Sequence, residues 1–255
     1  MTRMKQMAIA AMLAVATAAC GGTPGPYPHI ATLDPENAKA DGARLIELPH
    51  GLKRLDQNAA VTRAVVLVHG WGSRGLEWVY PAVRLSDADT ATYFFRWDWN
   101  ECPAPAAALL ATSLKAAVQA DPALRGVTVL GHSYGGLVVH EFLRVHADDL
   151  GQPVSAHTIA SPLAGMDALT GRCGYTTADV LPRLSQWRTQ HALDGAFRDL
   201  PVDPQDVGIA GSTVTRLPDT YRGRRLGHNW SISWVADELA QGRLGESVQI
   251  GRAHV

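Results

Sequence analysis

Hydrophobic positions along the chain fall into short apolar, often β-branched runs, separated by longer stretches in which apolar residues recur three and four apart. Residues 44–48, 64–68, 92–97, 127–130, 154–159, 185–191 and 213–217 form the short runs and read as strands. Residues 104–120, 136–145 and 231–241 carry the helical period. Strands alternating with helices predict crossover connections, and so an α/β fold with a mostly parallel central sheet flanked by helices. In such sheets ligands bind at the carboxyl ends of the strands. No internal repeat or long linker divides this pattern, so residues 43–255 read as one domain. Residues 162–182 interrupt the alternation and read as a short lid or a surface excursion.

The first residues follow a different pattern. Arg3 and Lys5 precede an alanine-rich apolar run over residues 7–16, and Thr17-Ala18-Ala19-Cys20 follows. This is the layout of a signal peptide over residues 1–19, too short to span a bilayer. The small residues before Cys20 resemble a bacterial lipobox, which implies lipid attachment at Cys20. Ordinary cleavage after Ala18 or Ala19 would instead release a soluble periplasmic or secreted protein. Residues 20–42, rich in Pro, Gly and Ala, read as a flexible tether. An exported chain can keep disulfides, so Cys102 and Cys173 are either a bridged pair or two buried thiols.

Composition narrows the function. Hydrophobic residues make up 46% and charged residues 18%, with a mean hydropathy of -0.05, as in an ordinary soluble core. Lys plus Arg number 23 against 24 Asp plus Glu, so overall charge draws the chain to neither nucleic acid nor anionic lipid. Membrane contact is expected only through lipid at Cys20. There is no CxxC or HExxH sequence, and His140-Glu141 lacks the second histidine of a zinc helix. No metal and no cofactor are expected.

The chemistry concentrates in Gly131-His132-Ser133-Tyr134-Gly135, between a β-branched run and an apolar helical pattern. G-x-S-x-G at a strand-to-helix junction is a nucleophile elbow: glycines let strand and helix approach while a strained serine projects its hydroxyl. The following helix directs its N-terminal dipole toward the reacting centre. Here the chain resembles the α/β-hydrolase superfamily, most closely its lipase and esterase branch. Val65-Val66-Leu67-Val68-His69-Gly70-Trp71-Gly72 is similar to that family's earlier strand and oxyanion loop. Ala160-Ser161-Pro162-Leu163-Ala164-Gly165 and Phe94-Phe95-Arg96-Trp97-Asp98-Trp99 add weaker likenesses.

The resemblance implies that the amides of Trp71 and Tyr134 form the oxyanion hole. It also implies a catalytic order of serine, acid, histidine. His69 is expected to fix its loop rather than move protons. Only His228 and His254 follow the possible acids, and His254 is the penultimate residue. His228, in Leu226-Gly227-His228-Asn229-Trp230, is therefore the expected base. Asp194 is the expected acid because Asp194-Gly195 lies nearest the end of the preceding strand; Asp199, Asp203 and Asp206 remain open. Asp219 reads as a turn residue. Ser133, Asp194 and His228 would thus cleave carboxylic esters, whether small molecules or lipids, through an acyl-enzyme. The elbow does not encode the leaving group, so acyltransferase, thioesterase and peptidase activities stay open, as does a non-catalytic binding lipoprotein.

Overall fold

The structure is a computed structural model that describes residues 28–167 and 171–242. The expected signal peptide, Cys20 and His254 lie outside them. One sheet is built from β1 Gly51–Arg54, β2 Arg63–Val68, β3 Thr90–Arg96, β4 Gly126–His132, β5 Val154–Ile159, β6 Leu184–Arg188 and β7 Thr213–Arg216. Their order is β1-β3-β2-β4-β5-β6-β7, and only β1 runs antiparallel to its neighbour. The fold is thus the α/β arrangement expected, with the carboxyl ends of six parallel strands along one edge.

Helices cover both faces: α1 Ala38–Ile46, α2 Leu76–Leu85, α3 Pro103–Ala120, α4 Tyr134–Val145 and α5 Ser231–Ala240. Successive strand residues point to opposite faces. Val66 and Val68 therefore enter a core with Leu110 and Leu114 of α3 and Val138 and Phe142 of α4. Leu67 enters the other, with Leu45 of α1, Trp78 and Val79 of α2, and Ile232 and Val235 of α5. Pro103 opens α3 in the first turn, where an N–H has no intrahelical acceptor to lose.

Two expectations need correction. Residues 44–48 are not a strand: they belong to the end of α1 and the turn after it. The reason is Leu45, whose burial against α2 and the sheet decides between two readings that a short apolar run leaves equal. Nor is the chain a free tether as far as residue 42. Ile30 donates its N–H to the Leu55 carbonyl at 2.6 Å, and buried Asp41 accepts from the Asp34 N–H and from Arg44, both at 2.7 Å. The helix α2 carried no clear sequence signal because Pro81 lies inside it; burial of Trp78, Val79 and Ala82 offsets that break.

The described part of the excursion, residues 162–167 and 171–182, is strapped to α3 and α4. Cys102, which caps α3, is bridged to Cys173, closing a 71-residue separation. By loop-closure entropy such a bridge stabilises the fold by about 4 kcal/mol. Buried His140 on α4 accepts the Ala178 N–H at Nε2 over 3.1 Å and meets the Tyr175 hydroxyl through Nδ1 at 3.2 Å. Burial lowers the His140 pKa to about 4, so the latch is neutral imidazole.

Candidate active site

Three strand ends converge on the site. The strand β4 ends at His132 and the chain turns sharply at Ser133, whose backbone has φ 53° and ψ -124°. A non-glycine residue in that region costs about 1–3 kcal/mol and persists only where its surroundings enforce it. They do: Ser133 N–H donates to the Ile159 carbonyl and Gly136 N–H to the Ser133 carbonyl, both at 2.9 Å. A Cβ on Gly131 would lie 2.5 Å from the Gly135 carbonyl oxygen, and one on Gly135 would lie 2.4 Å from that of His69. Any side chain at either glycine would force strand, helix and loop apart.

The second strand end is β2, followed by His69, Gly70 and Trp71. A Cβ on Gly70 would sit 3.0 Å from Ser133 Cβ and 3.5 Å from the Tyr134 nitrogen, so this loop lies directly on the elbow. Trp71 has no hydrogen bond on its N–H among the described residues, and the residue is 60% exposed. Tyr134 is held in place: its ring lies 5.5 Å from that of Trp97 and its hydroxyl donates to the Glu101 carbonyl at 3.2 Å.

His69 is fully buried beneath the loop. Its Nδ1 lies 3.0 Å from the Gly70 carbonyl, which can only accept, so the proton sits on Nδ1. Nε2 then accepts from Arg96 Nη1 at 2.8 Å, and the Trp97 indole donates to the His69 carbonyl at 2.9 Å. Burial, reinforced by Arg96, lowers the His69 pKa to about 3 although the bond to Gly70 opposes it. The imidazole is a neutral brace for the loop.

The third strand end is β6. Thr189 leaves the sheet, a 3₁₀ turn at His191–Leu193 follows, and Asp194 is brought under His228 with its side chain 0% exposed. His228 Nδ1 and the Asp194 carboxylate are 3.0 Å apart. Asp194 also accepts from the Thr189 hydroxyl, and from the Ala196 N–H at 2.8 Å. Burial alone would raise its pKa, but the bonds from His228, Thr189 and Ala196 outweigh it and hold the carboxyl below its ordinary value. The other candidates are spent elsewhere: Asp199 is 88% exposed beside Arg198, Asp206 is 69% exposed on Arg188, and Asp203 pairs with Arg216 at 3.1 Å. The Asp219 carbonyl accepts the Leu226 N–H within the turn before His228.

Side chains that the sequence did not single out hold the imidazole. The His228 ring lies 4.6 Å from that of His132 and 4.9 Å, edge to face, from that of Phe197. His132 Nε2 donates to the His228 carbonyl at 3.1 Å, which ties the loop of His228 to the residue before Ser133. Burial, with the neighbouring His228, keeps the His132 pKa well below its usual value, so it serves as a neutral strut. Gln205 accepts from the Thr189 N–H at 3.0 Å and so fixes the backbone of the residue whose hydroxyl supports Asp194. A histidine inside the elbow was the only sequence signal for any of this. Among the described residues no group of three or more His, Cys, Asp or Glu is placed to hold a metal ion.

The model of the Alpha/beta hydrolase family matches residues 65–244. Among solved structures, the mature form of the Bacillus licheniformis lipase BlEst2 superposes with a TM-score of 0.52 at 14% identity, covering 77% of this chain and 99% of that one. A putative esterase from Staphylococcus aureus gives 0.50 at 11% identity, covering 77% and 80%. Likeness at these identities is likeness of fold. Among curated proteins no match is found.

Proposed function

Because the chain belongs to the alpha/beta hydrolase family, we propose that it is a serine hydrolase that cleaves carboxylic esters through an acyl-enzyme on Ser133. One observation carries this reading: a fully buried carboxylate, Asp194, holds Nδ1 of His228 at 3.0 Å, while the same imidazole packs on the residue preceding the strained serine. With its Nδ1 proton committed to Asp194, the ring has its lone pair on Nε2, the tautomer a general base requires.

In the proposed cycle His228 Nε2 takes the Ser133 proton as Oγ bonds to the ester carbonyl carbon. The carbonyl oxygen becomes an oxyanion and accepts hydrogen bonds from the Trp71 and Tyr134 amides. Collapse breaks the carbon–oxygen bond of the leaving alcohol, which receives the proton from His228. Water then attacks the acyl-enzyme by the same route, releasing the acid and restoring Ser133. Asp194 stays ionised throughout and stabilises the imidazolium. Small-molecule or lipid esters are the proposed substrates.

The Cys102–Cys173 bridge supports the further reading that the chain is exported, since disulfides persist in oxidising compartments. The test of function is hydrolysis of p-nitrophenyl esters of graded chain length. Wild-type protein is expected to turn over at least one member, and Ser133→Ala to lose about 10³-fold or more in kcat. A Ser133→Ala variant as fast as wild type would overturn the proposal.

A further inference from the structure

A cavity of about 600 Å³ opens between α2, the start of α5 and a two-stranded hairpin, β8 Thr220–Tyr221 paired with β9 Arg224–Arg225. Its walls continue the catalytic loops. Asn229 and Trp230 follow His228 directly, and Leu76 follows Gly75, where the loop begun at His69 runs into α2. The cavity wall thus begins at the residue that follows the proposed base. Leu76, Ala38, Pro35 and the Trp230 ring give it an apolar floor.

Its rim is cationic. Arg222, Arg224 and Arg225 all line it, but they are not equivalent. Arg222 is consumed in the fold: it pairs with Asp237 at 3.0 Å and lies 4.7 Å and 4.9 Å from the Tyr80 and Tyr221 ring centroids. Arg224 and Arg225 are exposed and have no carboxylate partner among the described residues. Arg224 lies 5.5 Å from the centroid of Trp230, which orients its guanidinium along the cavity wall without neutralising it. Two carboxylates also face the cavity. Glu77 is engaged by the Ser73 hydroxyl on the loop side, and Glu36 lies on the exposed turn before α1. The unpaired positive charge thus lies on the hairpin wall, at Arg224 and Arg225, and the two glutamates lie on the walls formed by α2 and the turn before α1.

We infer that this cavity is a subsite for an anionic oxyacid group, a carboxylate or a phosphate, carried on an apolar stem, and that the preferred substrates are esters bearing such a group. The inference rests on the ester-hydrolase reading for the scissile bond and on the cavity for the anion. The arginine fork matches the planar or tetrahedral oxygens of such a group, and the apolar floor takes the stem.

Two measurements test this separately. In the first, kcat/KM is compared for p-nitrophenyl hexanoate and for the mono-p-nitrophenyl ester of adipic acid, which ends in a carboxylate. Wild type is expected to favour the anionic ester. The preference should fall about tenfold in Arg224→Gln/Arg225→Gln and invert in Arg224→Glu/Arg225→Glu, and it should shrink as salt is added. A preference equal in wild type and both variants, each melting like wild type, would overturn the inference. In the second, hexanoate and hexyl phosphate are titrated calorimetrically into Ser133→Ala. Binding that weakens about tenfold on adding the two Gln substitutions supports the subsite, and the tighter of the two ligands identifies the group. Binding indifferent to the arginines removes it. Arginine-dependent binding in a protein whose wild type hydrolyses neither ester keeps the anion site and overturns the hydrolase reading alone.

Discussion

At Asp194 two effects oppose each other: complete burial favours the neutral acid, while donors from His228, Thr189 and Ala196 favour the anion, and the donors win. Removing the charge while keeping the shape therefore isolates its role. Asp194→Asn should lower kcat by on the order of 10³–10⁴-fold, because an amide can donate to Nδ1 and stabilise the wrong tautomer. Asp199→Asn, on an exposed side chain, should stay within about twofold. Steady-state kinetics on the two variants checks both, and equal losses would remove Asp194 from its proposed role. Ser133 stood out in the sequence because its motif is local, and His228 because only it and the penultimate His254 follow the possible acids. Asp194 was one of four aspartates on a long loop, and only the folded path of the chain beyond β6 separates it from the others. Thr189, Gln205 and Phe197 were not legible, and His132 only as a histidine inside the elbow, since each acts through a partner at least five positions away in sequence.

Elements were legible where their pattern was decided locally. The strand at Val154–Ile159 and the helix at Pro103–Ala120 match their apolar runs closely. The α1 helix was misread because packing against α2 decides its fate, and α2 was missed because Pro81 breaks its pattern. Packing of α2, α5 and the hairpin centres on Asp237. Its carboxylate accepts from Tyr80 at 2.6 Å, from Arg84 at 2.9 Å, from Arg222 at 3.0 Å and from Tyr221. Burial would raise its pKa, but these donors and the Arg222 charge lower it from 3.8 to about 2. A depressed folded-state pKa contributes stability that is complete above the ordinary value and lost as pH falls through the folded value. Asp237→Asn should accordingly be less stable than wild type at neutral pH, and the gap should close between about pH 4 and pH 2. Urea unfolding across that range measures it, and a gap that stays constant would mean that charge is not what Asp237 contributes.

Over the whole molecule, the parallel sheet does the positioning. Residues 69–71, 133 and 194, far apart in the chain, come together because β2, β4 and β6 end on the same edge. The alternation of apolar runs made that edge legible as the place to look, and the fold class followed from it. The pairing of Cys102 with Cys173 was open in the sequence because it depends on where the excursion lies against α3. Activation of Ser133 by His228 is measured most directly by labelling with a fluorophosphonate followed by peptide mapping. One phosphonate per wild-type chain is expected, on Ser133, and almost none on His228→Ala under the same exposure. Folded wild-type protein that stays unlabelled, or that carries the label on another residue, would contradict it.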